Sequence, residues 1–441
     1  MLQEADITVV GTGLVGLSLT LDLLKQGYQV TLIGQPSIAL PHPANRVVAL
    51  NLASKEFLTA LGVWDNLNAQ DFTPYYAMKV WEKDENGYLE FTHKDVNQQV
   101  LGYNVINSAL EQALWQSIQV FLENNPQSNL NYLEQKVVAY QALQSKHFLT
   151  LEDSSQILST FLIAADGGNS FIRKALNIGV ERHEYSQTAI TCVLELPEAH
   201  NNTCYQSFHK NGILAYLPLA QKNQVSIVWS LNNNISDFAL NLSPEEFCQQ
   251  VYACFHKGLG VPKLISTPTS YPLAKQYAQS IAQDNLAIIG DAAHTIHPLA
   301  GQGVNLGFAD AWRLADLIRD YYRYNQGIER AKLDSWARER KTKALLISES
   351  MAVIKHTFCN QNPLLRLARN TALNFVNKQD FVKKQLITQA LGFHEKQYSQ
   401  ASFNQDLDLN KQKKASSDLR TQILEHSPAE LAQNFLQKFF K

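Results

Sequence analysis

The segment that most constrains the fold lies near the start of the chain, where a strand, a glycine-rich turn, a helix and a second strand follow one another. Asp6–Val10 is rich in β-branched residues and predicts a strand. Residues 11–16 read Gly-Thr-Gly-Leu-Val-Gly, and apolar residues at helical spacing continue to Leu24 before Gly27 ends the predicted helix. Gln29–Ile33 is the second predicted strand. A GxGxxG motif in this context is typical of a βαβ unit that binds a dinucleotide.

Each glycine of this motif has its own expected role, and one expected residue is missing. Gly11 makes the turn, Gly13 lets the backbone approach a pyrophosphate, and Gly16 lets the helix pack on the strand. An acidic residue that holds a ribose usually ends the second strand, but Gly34 and Gln35 stand there instead. Gln35 is therefore the predicted ribose contact, with less charge assistance than a carboxylate provides.

A second junction of the same kind lies late in the chain. The apolar segment 286–289 predicts a strand, and residues 290–305 read Gly-Asp-Ala-Ala-His-Thr-Ile-His-Pro-Leu-Ala-Gly-Gln-Gly-Val-Asn. An amphipathic helix follows from near Gly303 through Ile318. Small residues at such a junction let the backbone meet a bound group, and a helix N-terminus favours negative charge. The loop is therefore a predicted ligand site.

A third junction lies between these two. Leu162–Ala165 is an apolar strand that runs into Asp166 and Gly167, and a helix start follows. An ordinary turn explains one Asp-Gly pair, but it does not explain three similar junctions far apart in the chain. A single extended dinucleotide that contacts all three would explain them together.

The composition limits the partners and the compartment. Hydrophobic residues make up 45% and charged residues 18% of the 441 residues, which is typical of a globular chain with two or three domains. The formal net charge of -2 provides no basic field for nucleic acid. The five cysteines are scattered without a CxxC pair, as in reducing compartments, and no metal site is predicted. Glu4 and Asp6 precede the apolar segment Ile7–Leu24, so we expect no signal segment and a cytoplasmic protein.

The predicted elements divide the chain into a nucleotide-binding domain and an inserted sheet domain. The β-rich texture between Tyr185 and Tyr271 contains predicted strands at Thr188–Leu194, Gly212–Leu219 and Gln224–Ser230. The predicted boundaries are 1–75, 98–182 and 282–330 for the nucleotide domain, 76–97 and 183–281 for the sheet domain, and 331–392 for a helical region. Residues 393–441 predict a polar linker and a short amphipathic helix, which docks on its own domain, lies on a membrane surface or binds a partner.

Together these motifs resemble the aromatic-hydroxylase group of flavin monooxygenases, and within it the ubiquinone-biosynthesis FAD-dependent hydroxylases. The resemblance extends to about Gly392, and the loop at residues 290–305 is its most specific motif. Supporting matches are Asp166-Gly167, residues 185–189, Leu217-Pro218-Leu219 and Val228-Trp229-Ser230. The resemblance implies an α/β fold with a Rossmann-like FAD-binding domain similar to that of para-hydroxybenzoate hydroxylase, an inserted β-sheet substrate domain and C-terminal helices.

The resemblance also implies roles for individual residues. Asp291 would bind the ribityl hydroxyls of FAD, and Arg46 would face its phosphates or ribityl chain. The implied residues at the reacting flavin ring are Pro298, Gly301, Gln302 and Gly303. The complete predicted cofactor-binding set is Gly11, Gly13, Leu14, Val15, Gly16, Gln35, Arg46, Asn107, Asp166, Gly167, Gly290, Asp291, Gly303, Val304 and Asn305. Ile106 departs from the family pattern, because many relatives carry Glu immediately before the Asn.

The chemistry implied by the resemblance is ring hydroxylation. FAD takes a hydride from NADH or NADPH, reacts with O2 to give a C4a-hydroperoxide, and transfers a hydroxyl group to an electron-rich ring. A polyprenyl phenol or quinol is the implied substrate, and we expect Ile213–Leu219 and Val225–Trp229 to form the wall of its apolar pocket. His294 and His297 are candidate bases, but histidines in loops often have structural roles, so no side-chain base is predicted.

Two other functions fit the same motifs. A related flavoenzyme, such as a prenyl reductase or a halogenase, would share the fold, although the chain lacks the Trp-x-Trp-x-Ile-Pro segment of halogenases. A non-catalytic member would scaffold a quinone-biosynthesis complex, which the missing ribose-binding acid favours. In either the hydroxylase or the scaffold, the terminal amphipathic helix would permit peripheral contact with the inner membrane face.

Overall fold

The computed structural model describes residues 2–36, 46–82, 88–209, 211–255, 259–296, 301–325 and 327–359. Several predicted features lie outside these residues: His297, Pro298, and the linker and terminal helix at 393–441. The same holds for the part of the predicted helical region 331–392 that follows residue 359.

The described part of the chain consists of twenty strands and eight α-helices. In chain order the strands are β1 (Leu2–Val10), β2 (Val30–Ile33), β3 (Val47–Leu50), β4 (Phe72–Tyr75), β5 (Ala77–Glu82), β6 (Tyr88–Thr92), β7 (Gly102–Ile106), β8 (Leu130–Leu133), β9 (Val137–Leu143), β10 (Lys146–Leu151), β11 (Gln156–Ala164), β12 (Val180–Glu195), β13 (Thr203–His209), β14 (Gly212–Pro218), β15 (Gln224–Asn232), β16 (Lys263–Leu264), β17 (Thr269–Ala278), β18 (Ala282–Gln283), β19 (Leu286–Ile288) and β20 (His294–Thr295). The helices are α1 (Leu14–Lys25), α2 (Leu52–Ala60), α3 (Asn107–Asn124), α4 (Phe171–Ala175), α5 (Asn233–Leu240), α6 (Pro244–Phe255), α7 (Gln302–Asn325) and α8 (Arg330–Cys359). Short 3-10 helices cover Trp64–Asn66, His93–Val96 and Gly290–Ala292.

The first sheet contains the predicted nucleotide-binding unit. Its main strand order is β18-β19-β11-β1-β2-β8, and β10 and β9 extend it from β11. Strands β19, β11, β1, β2 and β8 run parallel, so their carboxyl ends lie along one edge. β1 pairs with β2 from Ile7↔Val30 to Val10↔Ile33, which confirms the strand–turn–helix–strand prediction. In open parallel sheets, ligands bind beyond the carboxyl ends of the strands.

One apolar core holds this sheet and its helices together. α1 contacts both α3 and α7, and the shared core includes Leu17, Leu114 and Phe308, which are fully buried. Burial of one such side chain stabilises the fold by about 1.5–3 kcal/mol. The core therefore fixes the positions of the helices whose N-termini face the carboxyl edge of the sheet.

The second sheet is nine-stranded, with the order β20-β17-β12-β15-β14-β13-β5-β6 and with β16 beside β12. The strands predicted at β12, β14 and β15 are confirmed. β13 was not predicted, because the segment Thr203–His209 mixes polar and apolar residues without clear alternation. A capping box begins α6: the Ser243 N–H donates to Oε2 of Glu246 at 3.0 Å, and the Glu246 N–H donates to Oγ of Ser243 at 3.3 Å.

A small third sheet was also not predicted. β7 pairs antiparallel with both β3 and β4, although these strands are far apart in sequence. This pairing places the residue before β3 next to the residue after β7, since the Asn107 N–H donates to the Arg46 carbonyl at 3.0 Å.

Candidate functional site

The three predicted junctions meet along the carboxyl edge of the first sheet. Backbone hydrogen bonds join neighbouring strand ends, from Ala165 N–H to Val10 O at 2.8 Å and from Ile289 N–H to Ala164 O at 2.9 Å. The turns that follow β1, β11 and β19 therefore lie side by side, as the sequence predicted.

Two glycines at this edge are required by the packing of the protein itself. A Cβ at Gly11, whose φ is +123°, would lie 2.2 Å from the carbonyl oxygen of Ala165. A Cβ at Gly16 would lie 2.0 Å from the carbonyl oxygen of Gly11. Both distances are far inside van der Waals contact, so α1 can approach β1 only because these side chains are missing.

Gly13 and Gly167 differ, because the protein does not fill the space beside them. A Cβ at either position would meet nothing within 4 Å. Both glycines border the same cavity. Gly13 has φ -77° and ψ 178°, a conformation open to other residues, so neither packing nor backbone geometry requires a glycine there. The space fits a bound group that touches the backbone, as the pyrophosphate of FAD would.

Helix N-termini supply the electrostatic complement to such a group. α1 and α3 begin after Gly13 and Ile106, and neither residue caps its helix through a side chain. Leu14, Val15 and Asn107, in the first turns of these helices, border the cavity. Backbone N–H groups left unpaired at a helix N-terminus attract anions.

The first turn of α7 is held in place by the side chain of Asn305. Its Oδ1 accepts the Asn51 N–H at 2.9 Å, and its Nδ2 donates to the carbonyls of Ala49 at 2.8 Å and Gly301 at 2.9 Å. The side chain of Asn305 is thus engaged within the protein. At Asn305, the start of α7 therefore presents backbone groups to the cavity and not a free side chain.

Two carboxylates lie beside the turns. Oδ2 of Asp166 accepts the Ile172 N–H at 3.2 Å, whereas its buried Oδ1 has no hydrogen-bond partner in the described part of the chain. Burial raises the pKa of Asp166, although hydrogen bonds from Ser170 and Ile172 oppose the shift. Asp291 is open to the cavity and otherwise surrounded by protein, and this burial raises its pKa against the influence of nearby cationic groups. Each carboxylate retains acceptor capacity for a ligand hydroxyl.

Arg173 joins the second and third turns. Its Nη1 donates to the Ala292 carbonyl at 2.7 Å and its Nη2 donates to the Gly168 carbonyl at 2.9 Å. The side chain is buried, and the residue borders the cavity. A guanidinium suits this position, because its planar fork reaches two carbonyls at once.

His294 has a structural role. Its Nε2 lies 2.7 Å from Oδ2 of Asp310, which also accepts the Gly290 N–H at 3.1 Å. Oδ1 of Asp310 accepts from Nε of Arg340 at 2.8 Å, and all three side chains are at most 2% exposed. Although burial opposes ionisation, His294 and Arg340 lower the pKa of Asp310. This buried network fixes the loop at Gly290.

Residues of the three turns, the first turns of α1, α3 and α7, and Arg173 border one cavity of about 1200 Å³. A pocket for a single small ligand usually measures about 300–1000 Å³. The larger volume is consistent with a cofactor and a substrate side by side.

The second sheet forms the wall opposite the turns. Ile213, Ala215 and Leu217 of β14 face the cavity, whereas the alternate residues Leu214 and Tyr216 pack into a separate core. Val228 of β15 lies beside Ala215 and also borders the cavity. Successive side chains of a strand point to opposite faces of the sheet. One face of the second sheet therefore packs into a core, and the other face lines the cavity. The two strands predicted as a pocket wall do line the cavity.

The structure brings most of the predicted site residues to this cavity. Those that border it are Gly13, Leu14, Val15, Arg46, Asn107, Gly167, Gly290, Asp291, Gly301, Gln302, Gly303, Val304 and Asn305. Gly11, Gly16 and Asp166 lie in the adjoining turns without bordering it. Gln35 is exposed beyond β2, where its carbonyl accepts from Thr12 Oγ1 at 2.5 Å. Pro298 lies outside the described residues, and the individual binding roles stay predictions.

Several residues that border the cavity were not predicted from the sequence, among them Tyr75, Glu111, Arg173 and Gln206. Glu111 had the clearest signal, because it lies one helical turn beyond Asn107 and is only 8% exposed. Tyr75 and Gln206 belong to no motif, so only strand pairing could reveal them. Glu111 places an acidic group in the helix that begins directly after Ile106, the position where the family pattern has Glu.

Comparison with known proteins gives one family. A family model described as FAD binding domain matches residues 4–349. The 3-demethoxyubiquinol 3-hydroxylase of Escherichia coli is 31% identical over 395 residues, which is 88% of this chain and 99% of that protein. The ubiquinone hydroxylase UbiM of Neisseria meningitidis is 28% identical over 401 residues, covering 89% of this chain and 86% of that protein.

Solved structures confirm the fold. The p-nitrophenol 4-monooxygenase PnpA of Pseudomonas putida superimposes with a TM-score of 0.72 at 15% identity, covering 89% of this chain and 98% of that chain. At this level of identity the likeness concerns architecture, which matches the fold implied by the sequence resemblance.

Proposed function

The chain belongs to the FAD-binding domain family of flavin-dependent monooxygenases, and we propose that it hydroxylates the ring of a polyprenyl benzoquinol or phenol in ubiquinone biosynthesis. NADH or NADPH and O2 are the proposed co-substrates. The single observation that carries the proposal is that the three turns and the apolar face of the second sheet border one cavity of about 1200 Å³.

At the cofactor end of the cavity, backbone N–H groups and two charged side chains would hold FAD. When bound, FAD supplies the hydride acceptor and the reaction with O2. The N–H groups at the start of α1, from Gly13 to Val15, would hold the pyrophosphate. Asp291 would accept hydrogen bonds from ribityl hydroxyls, and the exposed Arg46 would neutralise phosphate.

The start of α7 would stabilise negative charge that develops on a ligand ring. Gly303 and Val304 border the cavity in the first turn of a 24-residue helix, where the dipole is positive. The hydrogen bonds of Asn305 hold that turn before any ligand arrives. Hydrogen-bond donors that are already in position stabilise developing charge without a rearrangement of the protein.

The substrate end of the cavity has an apolar wall. Ile213, Leu217 and Val228 present aliphatic side chains there, as a hydrophobic ring and its prenyl tail require. An apolar wall would also keep solvent away from the site of the reaction with O2 and so limit side reactions.

We further propose peripheral membrane contact and membership of a quinone-biosynthesis complex, at the inner membrane face. A polyprenyl substrate resides in the bilayer, and the sequence of residues 427–441 has an amphipathic pattern. Among the described helices, none is both long and apolar enough to cross a membrane. Co-sedimentation of the full chain with anionic phospholipid vesicles tests the contact, and recovery only in the supernatant would contradict it.

The enzymatic proposal is tested with purified full chain. We expect flavin absorbance, NAD(P)H oxidation stimulated by a short-tail benzoquinol, and a product with one additional oxygen atom by mass spectrometry. Bound FAD without any hydroxylated product would favour a related flavoenzyme, and absence of FAD would favour the scaffold function. Deletion of the gene, followed by mass analysis of the accumulated quinone precursor, would identify the ring carbon.

A further inference from the structure

The ligand-facing wall of the second sheet is apolar except at a few positions, and Gln206 is the most unusual of them. Gln206 is 6% exposed and borders the cavity. It pairs with Ala215 on β14 and with Val80 on β5, neither of which offers a side-chain partner. Its amide has no hydrogen-bond partner in the described part of the chain. A buried amide without a partner is costly, so an unpaired amide that faces a cavity points to a ligand.

Tyr75 provides a second unpaired polar group on the same side of the cavity. It ends β4, borders the cavity, and pairs with Gly102 of β7. A Cβ at Gly102 would lie 2.5 Å from the Tyr75 hydroxyl oxygen, so the glycine makes room for the phenol. No described residue forms a hydrogen bond with this hydroxyl. Burial raises the pKa of Tyr75 above its usual value, which keeps the hydroxyl protonated and able to donate.

The two groups are neighbours through Cys204. Cys204 borders the cavity and stands two residues before Gln206 in β13, and Tyr75 lies beside the start of that strand, where the Tyr76 N–H donates to the Asn202 carbonyl at 2.9 Å. Two residues along a strand span about 7 Å. Burial raises the pKa of Cys204 to about 12, so its thiol is neutral. A hydroxyl and an amide thus both border the cavity near the start of β13.

On the basis of the proposed function, we infer that Tyr75 and Gln206 bind the oxygen substituents of the substrate ring and select a ring with two oxygens. A hydroxyl and an amide can each donate and accept, so both match the hydroxyl groups of a benzoquinol. The apolar surroundings strengthen this selection, because a ring that lacks one oxygen leaves a buried polar group unpaired.

The test compares wild type with Gln206→Leu and Tyr75→Phe in FAD-loaded full chain. Three probes are used: a short-tail benzoquinol and two analogues that each lack one ring hydroxyl. Binding is measured by perturbation of flavin absorbance. We expect each variant to bind the benzoquinol about tenfold more weakly, as loss of one hydrogen bond predicts. Each variant should also bind one of the two analogues as well as wild type does.

Stability separates recognition from a structural role. Because Gln206 is unpaired in an apolar wall, Gln206→Leu should unfold at the wild-type temperature or above it, with unchanged FAD content. Gln141→Leu on the exposed face of β9 is the matched control and should change none of these affinities.

The inference is overturned if the variants weaken all three probes equally or leave the benzoquinol affinity unchanged. Wild type that binds none of the probes would also overturn it. If wild type binds the benzoquinol but yields no hydroxylated product, the proposed function is wrong, while the affinities still decide whether these two side chains bind the ring.

Discussion

At the scale of single residues, the glycines of one short motif have two different physical causes. Gly11 and Gly16 are needed because a carbonyl oxygen occupies the place of their Cβ. At Gly13 that place is empty and borders the cavity. The protein's own packing therefore explains the first two glycines, whereas the third is explained by the proposed contact with FAD.

This difference predicts opposite effects for the same substitution. Gly13→Ala should fold normally, since its backbone angles suit alanine, but should weaken FAD binding about tenfold or more by overfilling the contact. Gly16→Ala should instead lower the thermal stability of the chain without FAD. Flavin fluorescence titration and thermal melts measure the two effects, and wild-type FAD affinity in Gly13→Ala would contradict the assignment.

The buried histidine His200 illustrates how hydrogen bonds set a protonation state. Its Nε2 donates to the carbonyls of Leu219 at 3.1 Å and Gln221 at 2.9 Å, while its Nδ1 accepts the Asn202 N–H at 3.0 Å. This pattern requires the neutral ring, and burial lowers the pKa of His200 below its ordinary value of 6.5. The unfolded chain therefore takes up this proton before the folded chain does.

Stability should accordingly fall as the pH drops through about 6.5, the unfolded value of the pKa. The contribution of His200 to the free energy of unfolding is complete above that pH. As the pH falls below it, the contribution decreases by at most about 1.4 kcal/mol per pH unit. Urea unfolding of wild type and His200→Gln at pH 8 and pH 5.5 measures it. We expect the stability difference between the two proteins to shrink at the lower pH; a constant difference would mean that His200 does not titrate on unfolding.

At the scale of elements, α7 and α8 are joined by a buried ion pair that also fixes the ligand loop. Arg340 on α8 binds Asp310 on α7, and Asp310 in turn accepts the N–H of Gly290. Neither the pairing nor its link to the loop follows from helical periodicity. The position of α8 therefore matters to a site that α8 itself does not border.

Breaking this pair should be costly. Arg340→Met leaves the Asp310 carboxylate buried without its cation, and we expect a loss of about 3–5 kcal/mol in the free energy of unfolding. FAD affinity should fall as well, because the Gly290 turn loses its support. Glu339→Gln, which removes the surface pair between Arg313 and Glu339 on the same two helices, should cost less than about 1 kcal/mol. Similar losses in chemical denaturation for both variants would refute the buried-pair argument.

At the scale of the whole molecule, one cavity is shared by two sheets with separate cores. The first sheet contributes the turns and the helix N-termini, and the second contributes the wall of Ile213, Ala215 and Leu217. Cofactor binding and substrate binding are therefore assigned to different parts of the chain. This separation makes it possible to disturb one without the other.

Ala215→Phe should show that separation. The added ring would fill the substrate end beside Val228 without reaching the glycine turns. We expect wild-type FAD content and complete loss of benzoquinol-stimulated NAD(P)H oxidation. Flavin absorbance and the oxidation rate measure the two properties in one sample, and loss of FAD would contradict the proposed division.

The sequence alone determined the family, the parallel sheet and the three converging turns. These features depend on short windows: alternating or helical periodicity, and glycines where the backbone must approach something closely. The family resemblance is confirmed, and so are the Gly-rich unit and the strands Gly212–Pro218 and Gln224–Asn232. The predicted roles of individual residues stay predictions.

Only the tertiary structure decided which distant side chains meet. The pairing of β7 with β3 and β4, the ion pair of Asp310 with Arg340, and the placement of Tyr75 and Gln206 at one cavity all bring together segments without any local signal in the sequence. Strand register and helix packing are global outcomes of burying apolar surface. The composition of a cavity wall therefore emerges only when all the elements are in place.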